Sequence, residues 1–151
     1  MKKTIKTTTI ALAALVLGLT FTSCKKEKIK GCTTSYATNY NSTAEEDDGS
    51  CSYSAKIIFW QKAASASTWP LSVTALKFYF DGQYIGSCLA TESTSSAPGC
   101  SSNGQASVTK NLGNSKIKTF SYSIKDQNNI EYDSGNITLN AADACQSFEM
   151  Q

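Results

Sequence analysis

The sequence predicts an all-β chain, with a small antiparallel β-sandwich over residues 55–151 preceded by an N-terminal leader and a short cysteine-closed module. Three observations carry this reading. Apolar and polar residues alternate at period two: Leu76, Phe78 and Phe80 alternate with Lys77 and Tyr79, and Phe120, Tyr122 and Ile124 with Thr119, Ser121 and Ser123. No stretch after residue 55 repeats its apolar residues at helical spacing. Turn signals, above all Asp81-Gly82 and Gln127-Asn128-Asn129, separate the alternating runs at short intervals.

At the N-terminus, Lys2, Lys3 and Lys6 precede an apolar run from Ile10 to Leu19, and the small residues Thr22-Ser23 follow. The run is shorter than the ~20 residues of a spanning helix and lies at the extreme terminus, so residues 1–23 read as an export signal. Leu19-Thr20-Phe21-Thr22-Ser23-Cys24 resembles a bacterial lipoprotein signal, with Phe21 in a place where Leu is usual. The resemblance implies that Cys24 begins the mature chain and carries the lipid, which makes the membrane a partner through the acyl chains. Each buried CH₂ contributes about 0.8 kcal/mol, so several chains on one residue hold a domain at a membrane almost permanently. Residues 24–30 are lysine-rich and read as a solvated tether. The chain resembles lipoproteins of the Bacteroidetes, which implies a lipid-anchored place in the cell envelope at the outer membrane. Surface and periplasmic faces are both open.

Three of the fourteen lysines leave with residues 1–23, so eleven lysines face twelve carboxylates and the net charge becomes −1. No basic footprint for nucleic acid remains. The chain has no Arg, which removes bidentate clamping of phosphate or carboxylate, and no His, which removes the commonest general base and metal ligand. An enzyme is therefore disfavoured. Ser107-Val108-Thr109-Lys110 spells a serine acyl-transferase motif, but on a strand its ends point to opposite faces.

Export favours disulfides among Cys32, Cys51, Cys88, Cys100 and Cys145. Cys32 and Cys51 bracket a compact polar segment and form the first expected pair. Closing that loop restricts the unfolded chain by about 3 kcal/mol. Cys88 and Cys100 bracket a Ser-rich loop and form the second expected pair, with a Cys100–Cys145 bridge as its competitor. Residues 31–54 resemble a small cysteine-bracketed module of exported Bacteroidetes proteins. The resemblance rests on Gly31-Cys32-Thr33, on Ala37, Asn39, Tyr40 and Asn41, and on Asp47-Asp48-Gly49-Ser50-Cys51. Within it, Glu45 to Asp48 place four carboxylates beside a turn, with Asn39 and Asn41 as neutral oxygen donors. Calcium takes such ligands, so Asp47 and Asp48 are metal candidates. A solvated acidic turn with no cofactor is the preferred reading.

In the β-domain, Lys56 to Gln61 opens as a β-branched and aromatic strand, and Asp81-Gly82 joins two strands into a hairpin. Further strands are expected at Ala106–Lys110, Thr119–Ile124, Ile130–Tyr132, Ile137–Leu139 and Phe148–Met150. Phe59-Trp60, Asp81-Gly82, Pro98-Gly99-Cys100, Tyr122 and Cys145 resemble the pattern of compact β domains of Bacteroidetes lipoproteins, with Cys88 additional. The fold implied resembles peptidase-associated or surface-layer accessory domains, which support or bind.

Two functions remain. The preferred one is a lipid-anchored, non-catalytic accessory or interaction protein of the envelope, presenting a surface to protein. The other is a carbohydrate-binding lipoprotein in which Trp69, and Trp60 if exposed, stack on sugar. Core packing is the simpler role for both tryptophans. Asp126, Glu131 and Asp133 could flank a sugar but read more simply as surface groups.

Overall fold

The computed structural model describes residues 26–151 apart from Ala144. The expected signal segment, residues 1–23, and the expected anchor Cys24 lie outside the described residues. The chain is mostly β, with antiparallel sheets and almost no helix.

Two short strands, β1 (Lys30–Gly31) and β2 (Glu46–Asp47), pair in parallel within the N-terminal module. The strand β3 (Tyr53–Trp60) leads through a four-residue helix α1 (Ala63–Ala66) to β4 (Ala75–Phe80) and β5 (Gln83–Leu89). Then follow β6 (Ala106–Gly113), β7 (Ile117–Asp126), β8 (Glu131–Asn140), a 3₁₀ turn at Ala141–Asp143, and β9 (Cys145–Glu149). One sheet has the order β6-β3-β9 and the other β5-β4-β7-β8. They face each other across one core. Phe59 of the first sheet lies 5.6 Å from Phe78 and 6.1 Å from Phe80 of the second, ring centre to ring centre.

The Asp81-Gly82 hairpin forms as its sequence requires. Both residues take positive φ, 55° and 72°, matching the twist of β4 and β5. At the β7–β8 turn the Asp126 carboxylate accepts the amides of Asn128 (2.8 Å) and Ile130 (2.9 Å). Asp126 is thus a buried turn-former, not the surface group expected. The stretches Ile130–Tyr132 and Ile137–Leu139, expected as separate strands, join in one, since β8 runs on through Asp133 to Asn136 with Gly135 opposite Tyr122. A Cβ at Gly135 would sit 3.0 Å from the Tyr122 ring, so the missing side chain makes room for that aromatic.

Pairing is not antiparallel throughout. β9 runs parallel to β3, with Lys56 opposite Cys145 and Trp60 opposite Glu149. The chain leaves β8, crosses by the 3₁₀ turn to the other sheet, and re-enters alongside β3 in the same direction.

The odd residues of β3 (Tyr53, Ala55, Ile57, Phe59) join the core between the sheets, while Lys56, Ile58 and Trp60 take the opposite face. That face is also covered. The stretch from residue 91 to 105, which includes most of the Ser-rich loop expected between Cys88 and Cys100, lies across it as a strap. Lys56 Nζ donates to the carbonyls of Cys100 (3.1 Å) and Ser102 (2.7 Å), the Gln105 amide donates to Phe59 O, and the Thr94 amide to Gln61 O. Gly104 takes φ 57°, and a Cβ there would lie 2.5 Å from Phe59 O and 2.7 Å from Ile58 Cγ2, so only glycine permits this approach.

The strap explains the disulfides. Cys145 stands beside Lys56 on the strap-covered face and bonds Cys100, Cα atoms 5.7 Å apart. Cys88, opposite Leu76, points into the core between the sheets and is a free thiol. A sheet separates Cys88 from Cys100, which excludes the expected Cys88–Cys100 bridge.

Cys32 and Cys51 are joined, Cα atoms 4.8 Å apart. Both are buried and, with Ala37, belong to the same core as the two sheets. Tyr53 OH donates to Thr34 Oγ1 (3.2 Å), and the Tyr36 and Tyr53 rings lie 5.8 Å apart. The module therefore caps the Tyr53 end of β3.

Candidate functional site

The two sheets meet differently at their two sides. On one side β5 lies against β6, and a Lys110–Asp81 ion pair of 3.0 Å ties β6 to the β4–β5 turn. On the other side the edge strands β8 and β9 stand apart. Between them lies a groove of about 340 Å³, lined by Trp69, Tyr122, Tyr132, Asp133, Phe148, Glu149 and Gln151. This volume is within the range of small-ligand sites.

Inward positions of β7 and β9 supply Tyr122 and Phe148, whose rings lie 4.8 Å apart. Tyr132, at the start of β8, meets Trp69 edge-on at 5.9 Å and 82°. Trp69 comes from the β3–β4 connection, so its position needs a brace. The fully buried Gln61 provides it: Trp69 Nε1 donates to Gln61 Oε1 (2.8 Å), while Gln61 Nε2 donates to the carbonyls of Ala90 (2.9 Å) and Glu92 (2.7 Å). The amide is saturated and its orientation follows from those partners. Gln127 ties the same connection to the β7–β8 turn, accepting from the Thr74 amide and donating to Ser72 O (2.7 Å).

Two carboxylates line the groove, and they differ. Glu149 pairs with Lys62 at 2.9 Å. Asp133 accepts from Tyr122 OH at 3.2 and 3.3 Å and, among the described residues, makes no ion pair. Burial, then the neighbouring Asp133 charge and its hydrogen bond, hold the Tyr122 phenol above its ordinary pKa, so the hydroxyl remains the donor. Asp133 thus lines the groove together with four aromatic rings.

The expected site residues separate on the structure. Trp69 reaches the groove, half-buried with its ring toward Tyr132. Trp60 does not. It is 4% exposed on the strap-covered face, because the Ser-rich segment closes over the side of β3 that the alternation leaves outward. Its indole N–H finds no partner among the described residues.

Asp47 and Asp48 do not converge on a cation. Asp47 accepts the Gly49 amide and Asp48 the Ser50 amide, each at 2.9 Å, and the hydrogen bonds to Ser50 lower the Asp48 pKa. Asn39 is equally committed, its amide bridging Ser50 O and the Ser52 amide. Among the described residues no three His, Cys, Asp or Glu side chains are placed to hold a metal ion.

Gln61, Tyr132 and Phe148 did not stand out in the sequence, and Asp133 was read as a surface group. No local pattern ties these four positions to Trp69, because they span residues 61 to 148 and meet only in the fold. Comparison with family models, curated proteins and solved structures finds no match to this chain.

Proposed function

We propose that this chain is a lipid-anchored protein of the cell envelope whose small β-sandwich binds saccharide, without catalysis, in the groove between β8 and β9. The observation that supports this reading is the groove's lining, in which the Trp69 ring, braced by Gln61, stands beside Tyr132 and the carboxylate of Asp133. Sugar rings present C–H faces that stack on flat aromatics and hydroxyls that donate to carboxylates and amides. Protein docking, the preferred expectation from sequence, suits such a recessed and partly polar cleft less well.

Titration with neutral oligosaccharides, followed by tryptophan emission, tests the reading. Trp60 is buried, so a change in emission on binding reports Trp69. Trp69→Ala is expected to weaken binding at least about tenfold, in line with the loss of one aromatic stacking platform. Binding untouched by this substitution would remove the groove from consideration. For the anchor, metabolic labelling with a fatty acid is expected to mark the wild-type chain and not Cys24→Ala.

A further inference from the structure

We infer that the groove recognises an organic ammonium group at Asp133, so that its preferred saccharide is an amino sugar with a free amine. The inference rests on the saccharide reading of this groove and specifies it. Four rings, Trp69, Tyr122, Tyr132 and Phe148, line the same cavity as Asp133. Aromatic faces attract a cation through their quadrupoles, most strongly where water is partly excluded, and rings grouped around a carboxylate are the recurring protein solution for holding ammonium.

The charges in the groove agree. Glu149 already has a cation, since Lys62 lies 2.9 Å from one carboxylate oxygen and 3.1 Å from the other. Among the described residues Asp133 has only a neutral phenol, and that hydrogen bond leaves further lone pairs to accept from an ammonium. Lys62 is spoken for by Glu149 and lies 5.5 Å from the Trp60 ring, on the strap-covered face and not over the groove rings. An anionic sugar would therefore meet an unpaired carboxylate with no Arg anywhere in the chain to receive it. A neutral sugar would leave that carboxylate without its best partner.

Four probes of equal length and linkage isolate the amine: β-1,4-linked tetramers of glucosamine, N-acetylglucosamine, glucose and glucuronic acid, titrated calorimetrically at pH 6 into the full mature chain. The glucosamine tetramer is expected to bind about tenfold tighter than the two neutral tetramers, with the uronic tetramer weakest. In Asp133→Asn, whose amide oxygen still accepts from Tyr122, the ratio of amine to neutral affinity is expected to fall to about one. Tyr132→Leu, at an exposed position, is expected to reduce the same ratio. Equal binding of amine and neutral tetramers by the wild-type protein would overturn the ammonium assignment and leave the saccharide reading standing. Binding of tetramethylammonium that Asp133→Asn abolishes, with no tetramer bound, would sustain the ammonium site and overturn the saccharide reading. Failure of every probe would overturn both.

Discussion

Single side chains decide whether the groove has a shape at all, and Gln61 is the clearest case. It is fully buried at the end of β3, and its amide holds Trp69, Ala90 and Glu92 together. Gln61→Leu keeps the approximate volume but leaves an indole N–H and two carbonyls without partners. The expected cost is about 2–4 kcal/mol, read as a lowered urea midpoint, together with a red shift of tryptophan emission as Trp69 loosens. Cys88 makes a second residue-scale prediction. Burial, with a smaller contribution from Glu92, raises its thiol from 9.0 to about 12. The folded state thus resists ionisation while the unfolded thiol ionises above pH 9, so this contribution is intact below pH 9 and is lost as pH rises toward 12. The drop in urea midpoint between pH 7.5 and pH 10.5 is expected to be smaller in Cys88→Ala than in the wild type. An equal drop would show that Cys88 is not protected. Trp69 was recognisable from sequence as an aromatic outside the alternating strands, whereas Gln61 reads as an ordinary polar strand end. Its role depends on carbonyls 29 and 31 residues away.

At the scale of elements, what was legible depended on how local the cause is. The β4–β5 hairpin follows from two adjacent residues that tolerate positive φ, so Asp81-Gly82 announces it. β8 hides its continuity, because Gly135 looks like punctuation until the Tyr122 ring is placed over it. The strap is the hardest case. Its serines, Pro98 and Gly99 describe a loop, and distant contacts such as those of Lys56, the close approach at Gly104 and the Cys100–Cys145 bond turn it into a cover. These contacts join residues 44 or more apart, beyond any pattern of local spacing. The disulfide closes a separation of 45 residues, for which chain entropy gives about 4 kcal/mol. Replacing both Cys100 and Cys145 by Ser is accordingly expected to destabilise the fold by up to that amount and to free the strap. Limited proteolysis should then cut between residues 91 and 105 in the variant before it cuts the wild type. Gly104→Ala, which puts a methyl against Phe59 O at positive φ, should sensitise the same segment with the disulfide intact. Wild-type resistance in both variants would mean that the hydrogen bonds made by Lys56, Gln61 and Phe59 hold the strap without the disulfide or the close approach at Gly104.

Over the whole molecule, the module and the groove occupy opposite ends of β3. The module packs at Tyr53, while Phe148 and Glu149 of the groove lie beside Phe59 and Trp60, about 20 Å farther along the strand at ~3.3 Å per residue. If Cys24 carries the lipid, the tether joins the module, at the end of β3 opposite the groove. That geometry transmits the anchor rigidly only if module and sheets are one cooperative unit. Their shared core, in which Cys32, Ala37 and Cys51 pack with the sheet residues, makes them so. Replacing both Cys32 and Cys51 by Ser removes about 3 kcal/mol of loop restriction and is expected to lower a single melting transition on the order of 10 °C. Calorimetry distinguishes this from the alternative. A small early transition, with the main one unmoved, would make the module an independent spacer that swings on Tyr53. A single shifted transition means that weakening the module weakens the groove, and saccharide affinity near the melting range should fall with it.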